Sequence, residues 1–218
     1  MQRDIVLLVH GLWLKGIAMW PMRRRLERCG YTVRAYSYPT MRLTLDENTA
    51  RLCRYCDGLG GGKVHLVGHS MGGLVALATA ERLPAACRGR VVLIGTPFAK
   101  SFAARALQRL PGGRAMLGHS MGQWLAGRRS TPPVAFDLGV IAGSGGVGLG
   151  RLIAPGLPKP NDGVVNIEET RVPGMRDHVV LPVSHTQMLV SGAVVRQVCA
   201  FLEHGKFDPV QGPNPSVN

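Results

Sequence analysis

Short runs of β-branched and aliphatic residues alternate along the chain with segments of helical periodicity, and this alternation restricts the fold more than any other feature. Six of these runs predict strands: Ile5–Val9, Tyr31–Tyr38, Lys63–Gly68, Arg90–Gly95, Val134–Ala142 and Asp177–Val183. Helical spacing of apolar residues predicts four helices: Ala18–Cys29, Leu45–Leu59, Met71–Leu83 and Met188–Glu203. The sequence therefore predicts an α/β fold, with a mainly parallel central sheet of about six strands and helices on both faces.

The length of the chain fits one domain. An α/β unit of 218 residues is of ordinary size, and we predict that it occupies residues 1–208. Residues 209–218 contain three prolines and are predicted to form a flexible tail. Between the fourth and fifth strands, residues 97–132 predict a short helical insertion. The insertion either forms a cap or lid over a pocket or packs only against the sheet, through the apolar residues Phe98, Phe102, Leu107, Leu110, Met116, Leu117, Trp124 and Leu125.

Charge and aromatic content exclude one large class of function. The chain has 26 Lys and Arg against 13 Asp and Glu, which gives a formal charge of +13. Nucleic-acid binders usually interleave a basic stripe with aromatic residues, whereas aromatic residues are 6% of this chain and are dispersed. We therefore predict no nucleic-acid partner. The positive charge predicts at most a weak attraction to anionic membrane surfaces or anionic substrates.

Five cysteines are scattered along the chain: Cys29, Cys53, Cys56, Cys87 and Cys199. An odd number cannot pair completely, and the spacing shows no disulfide framework. Cys53 and Cys56 have C-x-x-C spacing, but they lie in a predicted helix without a second ligand pair, which favours structural thiols over a redox or metal site.

No apolar run reaches the roughly 18 residues of a membrane-spanning helix, and no signal segment is evident. We predict a cytoplasmic protein without metal or cofactor, unless a leader has been removed.

The segment Gly68-His69-Ser70-Met71-Gly72 has the G-x-S-x-G spacing of a nucleophile elbow. A predicted buried strand ends directly before it, and a predicted helix begins directly after Ser70. This context predicts a sharp strand-to-helix turn that exposes the Ser70 hydroxyl as a nucleophile. The helix N-terminus adds partial positive charge where an oxyanion would form.

The same pentapeptide recurs as Gly118-His119-Ser120-Met121-Gly122. Pro111-Gly112-Gly113 precedes this second copy, so no strand leads into its turn. The flanks of the two copies do not match, and the pair is therefore not a structural repeat. We predict that Ser120 belongs to the helical insertion and is not the nucleophile.

A serine nucleophile needs a base, and the base needs an acid that orients it. His185 follows the carboxyl end of the sixth predicted strand, which is the edge where open α/β sheets bind ligands, so it is the favoured base. His178 opens the same strand at the opposite edge, and His65 lies inside another strand. Asp162, in an Asp-Gly turn, is the favoured acid, and Asp137 is the alternative.

The segment His10-Gly11 ends the first predicted strand. It is either a simple turn or a turn that presents the next backbone N–H to the site. In the second case, the N–H groups of Leu12 and Met71 form a two-donor oxyanion hole, in which each donor typically contributes roughly 3 kcal/mol to transition-state stabilisation.

Four motifs together resemble those of the α/β-hydrolase superfamily, and more closely its small lipase/esterase branch: Val9-His10-Gly11-Leu12, Gly68-His69-Ser70-Met71-Gly72, Asn161-Asp162-Gly163-Val164 and Ser184-His185. The resemblance implies a catalytic triad of Ser70, Asp162 and His185 in the family's chain order. It also implies the oxyanion donors named above and no cofactor. The first two strands of the usual family sheet have no room before Ile5.

The resemblance implies hydrolysis of a small-molecule or lipid ester of a carboxylic acid through an acyl-enzyme. An acyltransferase or a thioesterase would use the same triad, so the sequence leaves these activities open. A non-catalytic hydrolase-fold binding module is the alternative from a different class.

Overall fold

The computed structural model describes residues 4–60, 62–99, 101–127, 135–146 and 154–210. Within these ranges, six strands form one sheet: β1 (Ile5–Val9), β2 (Thr32–Tyr36), β3 (Val64–His69), β4 (Arg88–Ile94), β5 (Leu138–Gly143) and β6 (Asp177–Leu181). Their order is β2-β1-β3-β4-β5-β6, and every neighbouring pair is parallel. The predicted parallel sheet of six strands is confirmed.

Helices cover both faces of this sheet, also as predicted. The six described α-helices are α1 (Trp20–Arg28), α2 (Leu45–Asp57), α3 (Met71–Arg82), α4 (Phe102–Gln108), α5 (Gly113–Ala126) and α6 (Gly192–His204). Alternate residues of each strand point to opposite faces. Leu7 therefore joins the buried cluster that includes residues of α2, α3, α4 and α5, and Leu8 joins the cluster that includes α1 and α6.

Several boundaries differ from the prediction for local reasons. The fifth strand begins at Leu138, whereas the sequence predicted a start at Val134. The prediction was therefore wrong for residues 135–137, and Val134 lies outside the described residues. The last helix begins at Gly192, because the Ser191 hydroxyl accepts a hydrogen bond from the Val194 N–H at 3.4 Å and caps it there. The preceding residues Gln187–Leu189 form a separate 3-10 turn.

The predicted insertion at 97–132 contains α4 and α5 as two separate helices. Residues 100 and 128–132 of the insertion, residues 147–153 after β5 and residues 211–218 of the predicted tail lie outside the described residues. None of the helices in the described ranges has the length and apolar character needed to cross a bilayer.

The strand order creates a crevice at one point of the sheet. β1 pairs with β2 on one side and with β3 on the other, so the chain leaves the carboxyl ends of β1 and β3 in opposite directions. In open α/β sheets, ligands bind in the crevice at such a switch point. The segment Gly11-Leu12 follows β1 and Ser70 follows β3, so both lie at this crevice.

Candidate active site

Ser70 occupies a strained position between β3 and α3. Its backbone has φ 55° and ψ −128°, and a non-glycine residue with positive φ is uncommon unless the surrounding structure holds it there. The Ser70 N–H donates to the Ile94 carbonyl at 2.8 Å, and the Ser70 carbonyl accepts from the Gly73 N–H at 2.9 Å. The Ser70 residue lines a cavity at the carboxyl edge of the sheet.

Gly72 permits this sharp turn because two stretches of backbone meet at its Cα. A Cβ atom at this position would overlap the carbonyl oxygens of Val9 and His10. Only glycine therefore allows α3 to begin so close to the end of β1, and this closeness brings the Ser70 turn beside the segment that follows β1.

The second copy of the pentapeptide has a different structure. Ser120 lies inside α5 and is fully buried. Its hydroxyl donates to the Leu43 carbonyl at 2.8 Å and accepts from the Asn48 side-chain amide at 2.9 Å. The positive φ of this copy, 68°, belongs to Gly118, where the helix kinks against Met41. Ser120 is thus a buried polar link between α5 and the segment around α2.

Asp162 and His185 form a buried hydrogen-bonded pair. The His185 Nδ1–H donates to Asp162 Oδ2 at 2.7 Å, and the His185 backbone N–H donates to the Asp162 carbonyl at 2.8 Å. The second carboxylate oxygen, Oδ1, accepts from the N–H groups of Val164 and Val165 at 2.9 and 2.7 Å. The three bonds to its oxygens fix the carboxylate in one orientation, and the backbone bond holds His185 beside the Asp-Gly turn that the sequence indicated.

His69 is a site residue to which the sequence reasoning gave no role. Its Nε2–H donates to the backbone carbonyl of His185 at 3.0 Å, and the two rings are 4.7 Å apart between centroids. Burial, with a smaller contribution from the His185 imidazole, lowers the pKa of His69 to about 3. His69 is therefore neutral near pH 7 and acts as a hydrogen-bond donor. Its position between Gly68 and Ser70 was the only sequence signal for this contact.

His10 supports the segment that follows β1. The Tyr38 N–H donates to His10 Nε2 at 3.3 Å, the Tyr38 hydroxyl donates to the His10 carbonyl at 2.8 Å, and His10 Nδ1 hydrogen-bonds to the Gly11 carbonyl at 3.0 Å. Burial lowers the pKa of His10, which favours the neutral ring. Leu12 lines the same cavity as Ser70 and His185, and Met71 is the first residue of α3.

The cavity next to Ser70, called the Ser70 cavity below, has a volume of about 250 Å³. The polar residues that line it include Ser70, His69, Ser101, His185 and Thr186. Part of its apolar wall comes from the insertion, through the residues Ala103, Ala104, Leu107, Leu117 and Met121. Leu107, Leu117 and Met121 also belong to the buried cluster on that face of the sheet. The insertion thus lines the Ser70 cavity and also packs on the sheet, while its role as a cap or lid stays a prediction.

The remaining candidates from the sequence lie elsewhere. Asp137 precedes β5 at the amino edge of the sheet, where it bonds to Arg90 at 3.1 Å and Arg176 at 2.5 Å. Burial acts to raise the pKa of Asp137, but hydrogen bonds from the two guanidinium groups outweigh it and lower the pKa. His178 hydrogen-bonds to Thr170 at 3.0 Å, and His65 accepts from the Arg90 N–H at 2.9 Å. These groups hold the amino edge together, opposite Ser70.

Burial raises the pKa values of Cys53 and Cys56, the latter to about 12. High thiol pKa values disfavour the thiolates that redox chemistry and metal binding require. Across the residues that the structure describes, no three His, Cys, Asp or Glu side chains are grouped so that they could hold a metal ion.

Comparisons with known proteins give one family match and several solved structures with a similar fold. A model described as the alpha/beta hydrolase family matches residues 6–139. A search of curated protein sequences gives no match. Among solved structures, the mature form of the Bacillus licheniformis lipase BlEst2 is 19% identical, with a TM-score of 0.74 over 93% of this chain and 92% of the lipase.

Two other solved structures are similar over nearly their full lengths. Polyneuridine aldehyde esterase is 14% identical, with a TM-score of 0.61 over 93% of this chain and 98% of the esterase. BorB, a type II thioesterase from the borrelidin biosynthetic cluster, is 15% identical, with a TM-score of 0.60 over 93% of this chain and 92% of the thioesterase. These likenesses establish a shared fold.

Proposed function

The chain belongs to the α/β-hydrolase family, and we propose that it hydrolyses carboxylic esters through an acyl-enzyme formed on Ser70. The observation that carries this proposal is the combination of a strained, cavity-lining Ser70 with a buried Asp162–His185 pair whose imidazole lines the same cavity. A hydroxyl nucleophile, a base and an orienting acid are the three groups that acyl transfer to serine requires.

In the proposed mechanism, His185 accepts the Ser70 proton through Nε2 while the Ser70 oxygen attacks the ester carbonyl. Asp162 holds Nδ1–H and stabilises the imidazolium that forms. The N–H groups of Leu12 and Met71 donate to the oxyanion. The alcohol then leaves with the proton from His185, and a water molecule activated by the same imidazole releases the acid and restores Ser70.

His69 is proposed as a positioning residue for the base. Its hydrogen bond to the His185 carbonyl holds the backbone of the loop that carries the imidazole. Because His69 is neutral near pH 7, it places no second positive charge beside His185 when the imidazolium forms. A buried positive charge at that distance would raise the energy of the transition state.

The lining and the volume of the Ser70 cavity fit an apolar acyl group of short to medium chain length. Five aliphatic or small side chains of the insertion line it together with apolar residues from other segments, among them Leu14, Val164 and Leu189. Such a wall favours hydrocarbon over polar groups. Its volume of about 250 Å³ lies just below the roughly 300–1,000 Å³ that ligand pockets usually have. We therefore propose short-chain to medium-chain acyl esters as the substrate class.

A fluorophosphonate probe tests the nucleophile directly, because it reacts covalently with activated serines. We expect mass spectrometry to find one labelled peptide, which contains Ser70. The Ser70→Ala protein should not be labelled, whereas the Ser120→Ala protein should be labelled like the parent. Labelling at Ser120, or no labelling of a folded protein, would overturn the assignment, and the second result would favour a binding module.

A substrate panel tests the reaction class. We expect p-nitrophenyl esters of short and medium chain length to be hydrolysed faster than long-chain esters, phospholipids or acyl-CoA thioesters. Faster turnover of acyl-CoA would instead assign a thioesterase. Addition of small alcohols separates hydrolysis from acyl transfer, because an acyltransferase would form a new ester in their presence.

A further inference from the structure

Two cysteines that are far apart in the sequence meet on one face of the sheet. The Sγ atoms of Cys29 and Cys199 are 2.9 Å apart, although 170 positions separate the residues. A disulfide bond is 2.03–2.05 Å long, so the two sulfur atoms need to approach by only about 0.9 Å to reach that bond length.

The secondary structure holds both residues at this place. Cys29 is the C-cap of α1, and its N–H donates to the Arg25 carbonyl at 3.2 Å. Cys199 lies in the second half of α6, and its carbonyl accepts from the Tyr31 hydroxyl at 3.5 Å. Since α1 and α6 share one buried cluster, helix packing brings the two thiols together.

We propose that Cys29 and Cys199 are a redox-sensitive pair that closes to a disulfide between α1 and α6 when a disulfide oxidant, such as oxidised glutathione, is present. Cys29 is exposed and Cys199 is partly buried, so the oxidant reaches Cys29 first. In a reducing compartment the pair remains as two thiols.

The exchange proceeds in two balanced steps. The Cys29 thiolate attacks one sulfur of oxidised glutathione, the glutathione S–S bond breaks, and one glutathione thiolate leaves. The Cys199 thiol loses its proton to solvent and attacks the Cys29 sulfur of the mixed disulfide, which displaces the second glutathione. Two protein thiols are oxidised, and one glutathione disulfide is reduced to two thiols.

The electrostatics fit this order of events. Burial, followed by the neighbouring Cys29 thiol, raises the pKa of Cys199 to about 12. Cys199 is therefore a poor first nucleophile toward an external oxidant. It is instead suited to the second step, where a sulfur atom is already held beside it.

The disulfide would stabilise the fold without altering the Ser70 cavity. The closed loop would enclose β2 through β6 and most of α6, and cross-links over long loops restrict the unfolded chain most strongly. Cys29 lies shortly before β2 begins, so the link is at the amino edge of the parallel sheet, opposite Ser70. We expect the Tm to rise by roughly 10 °C on oxidation and kcat at 25 °C to stay within about twofold.

The test is equilibration of the full chain with mixtures of oxidised and reduced glutathione, followed by alkylation of free thiols and non-reducing peptide mapping. We expect a cross-linked peptide that joins Cys29 to Cys199, with the rise in Tm in the same samples. The Cys29→Ser protein should show neither change. The Cys199→Ser protein should retain a glutathione adduct at Cys29, because the second step is lost.

Cys87→Ser is the matched control, because Cys87 is also exposed but is not paired with Cys199. That protein should form the cross-link and gain stability as the parent does. A stable glutathione adduct at Cys29 in the parent, or a cross-link between other cysteines, would overturn the proposal. The readouts are covalent mapping and Tm, so the test is independent of whether the ester-hydrolase proposal holds.

Discussion

The two copies of Gly-His-Ser-Met-Gly adopt unrelated structures within one chain. In the copy at 68–72, the positive φ falls on the serine, which lines a cavity at the end of a strand. In the copy at 118–122, the positive φ falls on the first glycine, and the serine is buried inside a helix. The same five residues therefore adopt different backbone conformations in different surroundings.

The difference comes from what the flanking residues provide. β3 leads directly into the first copy, and the backbone of β1 passes so close that Gly72 has no room for a Cβ. A helical segment surrounds the second copy, and Gly122 has open space around the same position. The nucleophile elbow is thus a property of the strand, the turn and the neighbouring strand together, rather than of five residues.

Replacing the two serines gives the largest contrast. We expect Ser70→Ala to lower kcat by on the order of 10⁴–10⁶, because the remaining triad residues cannot form an acyl-enzyme. Ser120→Ala should leave kcat within about twofold, since its hydroxyl is bonded to Leu43 and Asn48 and does not line the Ser70 cavity in the part of the chain that the structure describes. Ester-hydrolysis kinetics on both purified proteins measure this contrast.

Stability measurements serve as the control for this pair. Ser120→Ala removes a donor from the partly buried Leu43 carbonyl and an acceptor from the Asn48 amide, which keeps its 3.3 Å bond to the Pro39 carbonyl. We expect this loss to reduce the free energy of unfolding by about 1–3 kcal/mol. Ser70→Ala should cost less or even stabilise, because the hydroxyl at the elbow makes no described structural bond. An inactive but stable Ser120→Ala protein would reverse the roles assigned to the two copies.

The last glycine of each copy gives the next largest contrast. Gly72→Ala forces a methyl group against the carbonyl oxygens at the end of β1, so we expect a loss of about 3 kcal/mol or more in unfolding free energy. Gly122→Ala should stabilise by up to about 1 kcal/mol, because alanine favours a helix and its Cβ meets nothing within 4 Å. Urea denaturation of both variants distinguishes these signs, and equal losses would contradict the comparison.

The elements that could be predicted from the sequence are those in which apolar residues recur at regular spacing within the element. The apolar runs of β1, β3 and β4 and the helix after Ser70 could be predicted because burial imposes a regular pattern on neighbouring residues. The start of α6 was predicted too early, since Gln187–Leu189 continues the apolar spacing while Ser191 provides the cap. The fifth strand was also predicted to begin before its observed start, in a segment just upstream of Asp137.

The same distinction holds for the candidate site: its motif residues could be predicted from the sequence, whereas contacts between distant segments could not. Motif order selected Ser70 and His185, which line one cavity, and Asp162, which hydrogen-bonds to His185, while their catalytic roles remain a prediction. The bond from His69 to the His185 carbonyl spans 116 positions, and the approach of Cys29 to Cys199 spans 170. Such contacts depend on how helices and loops pack, which no local pattern encodes.

The two histidines of the pentapeptide give the smallest contrast, in the pH dependence of stability. Burial lowers the pKa of His69 to about 3, whereas in the unfolded chain a histidine titrates near 6.5. Between these values the unfolded state binds a proton that the folded state does not, so stability falls as pH drops below about 6.5. His69 should account for a loss of about 2 kcal/mol between pH 7 and pH 5, and His69→Gln should remove that part while keeping an amide donor near the His185 carbonyl.

His10, His185 and Asp162 face His69 and remain in the variant, so their contributions largely cancel in the difference. His119 holds the same position in the second copy and is exposed on α5, so His119→Gln is the matched control variant. Urea denaturation at both pH values tests this prediction. If the His69→Gln protein loses as much unfolding free energy between pH 7 and pH 5 as the parent does, the contribution assigned to His69 is wrong.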